Sequence, residues 1–160
     1  MAIQYAVAMG LQVIAIDTGK VKLEHCREQG AQYVVDADEP QLVDVVRDIT
    51  SGGAHGVLCV APASVAFETG VKITRSKGTM CAIGLPKDSF PCEPVDIVMR
   101  CITIKGSLVG TRNDLQEALG FVARGQVTCP IQIENFEHIN EVIQKLRAGK
   151  YEGRAVMVFE

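Results

Sequence analysis

The sequence predicts a doubly wound parallel α/β sheet, and three observations carry that expectation. Short apolar runs of strand character alternate with helical stretches from one end of the chain to the other. Glycine closes the helical stretches, as at Gly30, Gly52 and Gly125, where a chain leaving a helix needs a left-handed residue. The 160 residues contain no repeat, low-complexity segment or internal linker, so the alternation belongs to one folding unit over residues 1–160.

Met1 to Met9 reads as the body of a helix. Leu11 to Asp17 is an apolar strand ending in a carboxylate. Gly19 to Gln29 spaces Val21, Leu23 and Cys26 among charged residues, a helical pattern stopped by Gly30. Gln32 to Asp36 is a short β-branched run. Asp38 and Pro40 open the next helix, whose buried face is Leu42, Val43, Val45, Val46 and Ile49, and Ser51 to Gly56 ends it. Val57 to Val60 is a compact strand, Ser64 to Thr74 a helix, Lys77-Gly78 a turn, and Thr79 to Gly84 another strand. Leu85 to Pro94 holds three prolines and reads as a surface or interface loop. Asp96 to Cys101 suits a short helix, Ile102 to Gly106 a strand, and Arg112 to Arg124 an amphipathic helix. A strand at 131–134, a helix at 137–146 and a final strand over 154–160 complete the alternation.

A formal net charge of −3, with acids and bases interspersed, supplies no field to gather nucleic acid or an anionic membrane. No apolar run approaches the roughly 20 residues that span a bilayer, and the first residues lack the basic and apolar regions of a signal peptide, so a cytoplasmic location is expected. Six cysteines are present, and none forms C-x-x-C. Cys59 and Cys81 sit inside apolar strands and Cys101 closes a helix, which favours structural thiols over metal ligands.

The chemistry starts at Asp17. A carboxylate at the C-terminal end of a strand faces the crevice where doubly wound sheets bind ligands, and two hydrogen bonds to a ribose diol suit it. The plain alternative is a surface acid opening the Asp-Thr-Gly turn. With an acid here and no arginine beside it, NAD is preferred over NADP, whose 2′-phosphate it would repel. Lys22, one turn into the next helix, reaches the same ribose, unless it is simply a solvated lysine. Ile83 to Leu85 and Ser107 to Val109 lie at or just past strand ends, so their amides line the same crevice. Arg154 can pair with phosphate bidentately or stand as a surface charge. His25, His55 and His138 have no nucleophile or ligand partner at a recognisable spacing, so no catalytic residue is expected.

These residues resemble the cofactor domain of zinc-dependent, medium-chain alcohol dehydrogenases, close to the fungal NAD enzymes. The resemblance rests on Ala2 to Ala6 with Met9-Gly10, Val13 to Asp17, Gly52 to Val57, Ile83 to Pro86, Ile104 to Gly110 with Arg112, and Gly153-Arg154, in order and at near-constant spacing. It implies a Rossmann-type sheet in which Asp17 and Lys22 bind the adenosine ribose and Val60 neighbours the adenine. Ile83, Ser107 and Val109 would meet the nicotinamide carboxamide through their backbones, Leu85 would border the substrate pocket, and Arg154 would hold the pyrophosphate. The parent reaction it implies is hydride transfer between a zinc-bound primary or secondary alcohol and NAD.

Three departures shape what is expected of this chain. The Gly-rich phosphate turn and the strand before it, the first of the order 3-2-1-4-5-6, are not in the sequence. The separate domain that supplies the zinc ligands in the family is likewise not there, so no metal ligand, weak or no NAD binding and no independent turnover are expected. The sheet then closes up, takes a strand from another chain, or stays barely stable. The strand at 102–106 is the edge through which the family forms homo-oligomers, and the strand over 154–160 is one that in the family returns to the catalytic domain. Rival readings are an interaction module that associates with full-length dehydrogenase subunits and a zinc-free reductase relative.

Overall fold

The computed structural model describes residues 1–151 and 153–159; residue 160, the last of the expected strand 154–160, lies outside them. Seven α-helices and seven strands alternate among the described residues. The helices are α1 (Ala2–Ala8), α2 (Lys20–Glu28), α3 (Leu42–Thr50), α4 (Ser64–Ile73), α5 (Pro94–Arg100), α6 (Arg112–Ala123) and α7 (Ile139–Arg147), the last preceded by a 3-10 turn at Phe136–His138. The strands are β1 (Ile14–Asp17), β2 (Tyr33–Asp36), β3 (Ala54–Cys59), β4 (Thr74–Ala82), β5 (Thr103–Gly106), β6 (Ile131–Asn135) and β7 (Arg154–Val158).

Every strand pair is parallel, as the alternation of elements requires. The strands nevertheless form three separate groups: β1–β2, β3–β4–β5 and β6–β7. The sheet does not close up, because among the described residues β1 and β3 do not pair. They share an apolar floor instead. Val35, Leu42, Val46 and Ile73 are buried together, and Ile14 and Ile16 of β1 and Val57 of β3 pack against the same cluster. A second cluster of Cys59, Phe67, Val71, Met80 and Ile102 lies beneath β3–β4–β5.

Three details depart from the sequence reading, each for a local reason. The loop at 85–94 is not merely a surface excursion: Phe90 packs on Phe67 with ring centroids 5.4 Å apart, and Cys92 joins the same cluster. His55 lies inside β3 rather than in a glycine turn, and β4 starts at Thr74, ahead of Lys77-Gly78. Between Ala54 and Gly56 the register jumps from Thr74 to Thr79, so β4 carries a bulge that places Lys77 at φ +63°. Glycine permits the close approach, since a Cβ at Gly53 would lie 2.8 Å from Arg75 Cα and one at Gly78 2.7 Å from Thr74 Cγ2.

The C-terminal end of α4 is tied by guanidinium groups from two other helices. Arg47 Nη2 donates to Lys72 O at 3.0 Å, and Arg100 donates to Val71 O at 3.1 Å and to Thr74 O. Cations there oppose the negative end of the helix dipole as well as satisfying its last carbonyls. Asp96 holds Arg100 in place through Nε at 2.7 Å and through Nη2. The hydrogen bond from Arg100 keeps the Asp96 carboxyl below the usual carboxylate range.

Arg100→Met should lower stability by about 2–3 kcal/mol, because it leaves buried-side carbonyls of α4 unpaired. Asp96→Asn should cost under about 1 kcal/mol, the carboxylate being more than a third exposed. Since folding depresses the Asp96 pKa, the pair's contribution is present at neutral pH and is lost as pH falls through the folded value. Urea midpoints at pH 7 and pH 3 check both statements: the Asn variant should lose less stability on acidification than the parent.

Candidate functional site: the C-terminal rim of the strands

Asp17 closes β1 and holds the turn that follows, its Oδ1 accepting the Thr18 N–H at 2.8 Å. Gly19 at φ +82° then swings the chain into α2, whose first turn carries Lys22. The ammonium of Lys22 comes within 3.7 Å of Asp17 Oδ1, and both side chains remain about half exposed, at 48% and 44%. The structure therefore assembles the two residues that sequence spacing assigned to one ligand group. Beneath them, burial pushes the Cys26 thiol up and the negative charge of Asp17 adds to the effect.

Asp36, which the sequence reading did not single out, ends β2 as the register partner of Asp17. Its Oδ1 accepts from Asp38 N at 3.1 Å. Two carboxylates thus stand side by side on the rim, with a single lysine against one of them. The signal in the sequence is that both apolar strands stop at an aspartate; only the register shows that they are neighbours.

The next part of the rim is built where β4 leaves the sheet over β3. Cys59 O accepts from both Ile83 N at 3.0 Å and Gly84 N at 2.8 Å. That crossing demands glycine, because a Cβ at position 84 would sit 2.5 Å from Ala61 O. Val60, Ile83 and Leu85 are left exposed around it. Leu85 also lines a shallow cavity of about 430 Å³ with Pro62, Ser64, Lys87 and Asp88.

Ser107 follows β5 and donates its N–H to Ala82 O at 3.0 Å, which ties this segment to the end of β4. Two residues on, Val109 adopts φ +51° while 97% exposed. A β-branched residue in the left-handed region is strained, and the strain persists only where the flanks over-determine the backbone. Here the flanks are the Ser107 bond on one side and a capping box on the other. Thr111 N–H and Oγ1–H both donate to Asp114 Oδ2, at 2.6 and 2.8 Å, and Asp114 N–H donates back to Thr111 Oγ1 at 3.2 Å. Those bonds hold the Asp114 carboxyl below its ordinary range.

The structure thus brings Asp17 and Lys22 together, and joins Val60, Ile83 and Leu85 to Ser107 and Val109 through the ends of β3, β4 and β5. Arg154 opens β7 in the separate β6–β7 pair, opposite Ile131, with its N–H on Pro130 O at 3.2 Å. The histidines stand apart from this rim: His55 Nε2 lies 2.6 Å from Arg75 Nη1, while His25 and His138 neighbour Glu28 and Glu141. Among the described residues no three of His, Cys, Asp and Glu gather as a metal site, and no helix is long and apolar enough to cross a membrane.

Comparison with known proteins supplies the family context. The sequence model of the family described as zinc-binding dehydrogenase matches residues 1–124. Alcohol dehydrogenase 2 of Caenorhabditis elegans is 42% identical over 159 residues, covering 98% of this chain and 45% of the relative. Alcohol dehydrogenase 1 of Neurospora crassa is 44% identical over 163 residues, covering 98% and 46%. Among solved structures, the alcohol dehydrogenase of Aeropyrum pernix superposes with a TM-score of 0.89 at 26% identity, over 98% of this chain and 46% of that one. The Thermus sp. ATN1 enzyme TADH gives a TM-score of 0.90 at 20% identity, a likeness of fold alone. The chain spans a little under half the length of the curated relatives it matches.

Val109→Gly should raise stability by about 1 kcal/mol by removing the left-handed penalty, whereas Gly84→Ala should lower it by about 1–3 kcal/mol by forcing the rim crossing apart. Chemical denaturation of the two variants checks the pair of signs, and a stabilising Gly84→Ala would show that the crossing is not sterically closed.

Proposed function

The chain belongs to the zinc-binding dehydrogenase family, and from that premise we propose that it is the nicotinamide-dinucleotide-binding part of an NAD-dependent alcohol dehydrogenase. The reading rests on the Asp17–Lys22 pair at the end of β1. A carboxylate and an ammonium 3.7 Å apart and half exposed offer an acceptor and a donor to the two hydroxyls of a ribose. Asp36, next to Asp17 in register, adds negative charge that disfavours a 2′-phosphate and selects NAD over NADP.

Further along the rim, the backbone around Ile83, Ser107 and Val109 faces the carboxamide end of the cofactor, Val60 borders the adenine and Leu85 the substrate pocket. Arg154, at the start of β7, holds the pyrophosphate. NAD supplies hydride acceptance when bound; the residues of this chain orient it. Zinc belongs to the family by name, and the described residues offer no three-donor set to hold it. The substrate class is a small alcohol or aldehyde, the location cytoplasmic, and the isolated chain inactive.

A second reading concerns association. All four residues of β5 are exposed, and α5 beside it turns Val95, Val98 and Met99 outward. An open apolar edge of this kind pairs with a copy of itself or with a full-length dehydrogenase subunit. Sedimentation at micromolar concentration should show a dimer that Ile104→Pro dissociates; a monomer would remove this reading.

Calorimetry should find NAD bound more weakly than about 1 mM, with no ethanol oxidation above blank when zinc is added. Saturation-transfer NMR at high ligand concentration should then detect contacts to the adenosine ribose protons of NAD, absent for NADP and absent in Asp17→Ala. Equal signals from the two cofactors, or signals that survive the substitution, would overturn the ribose assignment.

A further inference from the structure

We propose that Asp114 is a positioning residue for the carboxamide end of the dinucleotide, an assignment that rests on the reading of the rim given above: its carboxylate clasps the segment from Val109 to Thr111 and so holds the Val109 backbone left-handed. Two features single this segment out. Val109 is 97% exposed at φ +51°, so no packing of its side chain accounts for the conformation. Among the described residues the N–H and C=O groups of Leu108, Val109 and Gly110 make no hydrogen bond. A run of backbone donors and acceptors is therefore open to a ligand beside the end of β4.

The clasp closes on that run from the α6 side. Asp114 Oδ2 accepts from Thr111 N at 2.6 Å and from Thr111 Oγ1 at 2.8 Å. The same carboxylate lies against the Gly110 backbone, where a Cβ would stand 3.3 Å from Oδ2. Glycine at 110 thus lets the carboxylate approach the chain one residue after Val109. These bonds keep the Asp114 carboxyl below its ordinary range, so it remains an acceptor at neutral pH. On the other flank Ser107 N–H is fixed on Ala82 O. The two anchors leave only residues 108 to 110 between them, and a bridge that short between fixed ends sustains a backbone its own residues disfavour. No residue of α6 is fully buried, so the start of the helix is set by its cap rather than by core packing.

The consequence is that the two ends of the ligand depend on different side chains. Asp17 and Lys22 belong to the β1–β2 side, whereas Asp114 acts on the segment that follows β5. Removing the Asp114 carboxylate leaves the ribose pair untouched. It releases Val109 to the extended or right-handed backbone that a β-branched residue prefers. The nicotinamide end then loses its fixed partners while the adenosine end keeps its own. Glycine at 109 removes the need for the clasp, because glycine takes positive φ about as readily as negative. Glutamate at 114 preserves the clasp, being a usual third residue of such a box.

The probe is NAD, read by saturation-transfer NMR on the 160-residue chain, with the ratio of nicotinamide-ring to adenosine-ribose signal as the measure. Asp114→Ala should lower that ratio at least about fivefold, the preference of a non-glycine residue against the left-handed region, with the ribose signal retained. It should also weaken the strong Overhauser effect between the Val109 amide and α protons that a left-handed residue gives. Asp114→Glu should keep the ratio, and Val109→Gly added to Asp114→Ala should return it to within about twofold of the parent. Thr111→Val, which removes the hydroxyl arm alone, should give an intermediate ratio and carries the test if Asp114→Ala does not fold. An unchanged ratio in whichever of these two variants folds, a loss that Val109→Gly does not reverse, or ribose signal without nicotinamide signal in the parent would overturn the proposal and leave the ribose assignment standing. Absence of ribose signal from the parent would instead overturn the dinucleotide reading, and this assignment with it.

Discussion

The packing of α3 against two strand groups is the constraint on which the rest depends. No backbone ladder joins β1 to β3 among the described residues, so their relative position is held by side chains: Val46, 1% exposed, with Leu42 and Ile73, and above them Ile14, Ile16 and Val57. Dispersion and apolar burial are non-directional, unlike a hydrogen-bonded ladder. They set β1 and β3 on one apolar floor without fixing a strand register between them. The rim chemistry inherits this arrangement, since Asp17 belongs to one sheet and Ile83, Ser107 and Val109 to the other.

Within each sheet the rim is defined far more tightly. Gly84 is wedged between two amide donations to Cys59 O and the carbonyl of Ala61, and Val109 is held left-handed between Ser107 and the Thr111–Asp114 box. Conformational strain of about 1–3 kcal/mol at a wholly exposed valine brings no packing return. Its consequence is orientation, because a left-handed residue redirects the amides on either side of it. A backbone-lined site that must present fixed donors and acceptors to a flat ring is the setting in which such an arrangement has a use.

Much of this was legible in the sequence, for reasons that also mark where legibility stops. Apolar strands that terminate at Asp17 and Asp36, the α3 face of Leu42, Val46 and Ile49, and the glycine stop at Gly30 are local patterns, and the structure realises them nearly at the residues expected. The Asp17–Lys22 pairing was readable because five positions separate them across one turn and one helix start. What escaped was set by register. The adjacency of Asp17 and Asp36, the inclusion of His55 in β3 and the bulge at Lys77 each depend on which residue lies opposite, which no single segment encodes. The left-handed backbone of Val109 ran against its own propensity, since a β-branched residue is among the last expected there. Phe90 was hidden among prolines that announce a loop, although its ring belongs to the core.

The split of the strands into three groups bears on how dinucleotide affinity is distributed along such a fold. The ribose contact proposed for Asp17 and Lys22 and the carboxamide contact proposed for the Val109 backbone lie on different sheets. A ligand held at both ends must fix the relative position of two bodies joined only by apolar packing, and the free energy of fixing them is subtracted from its affinity.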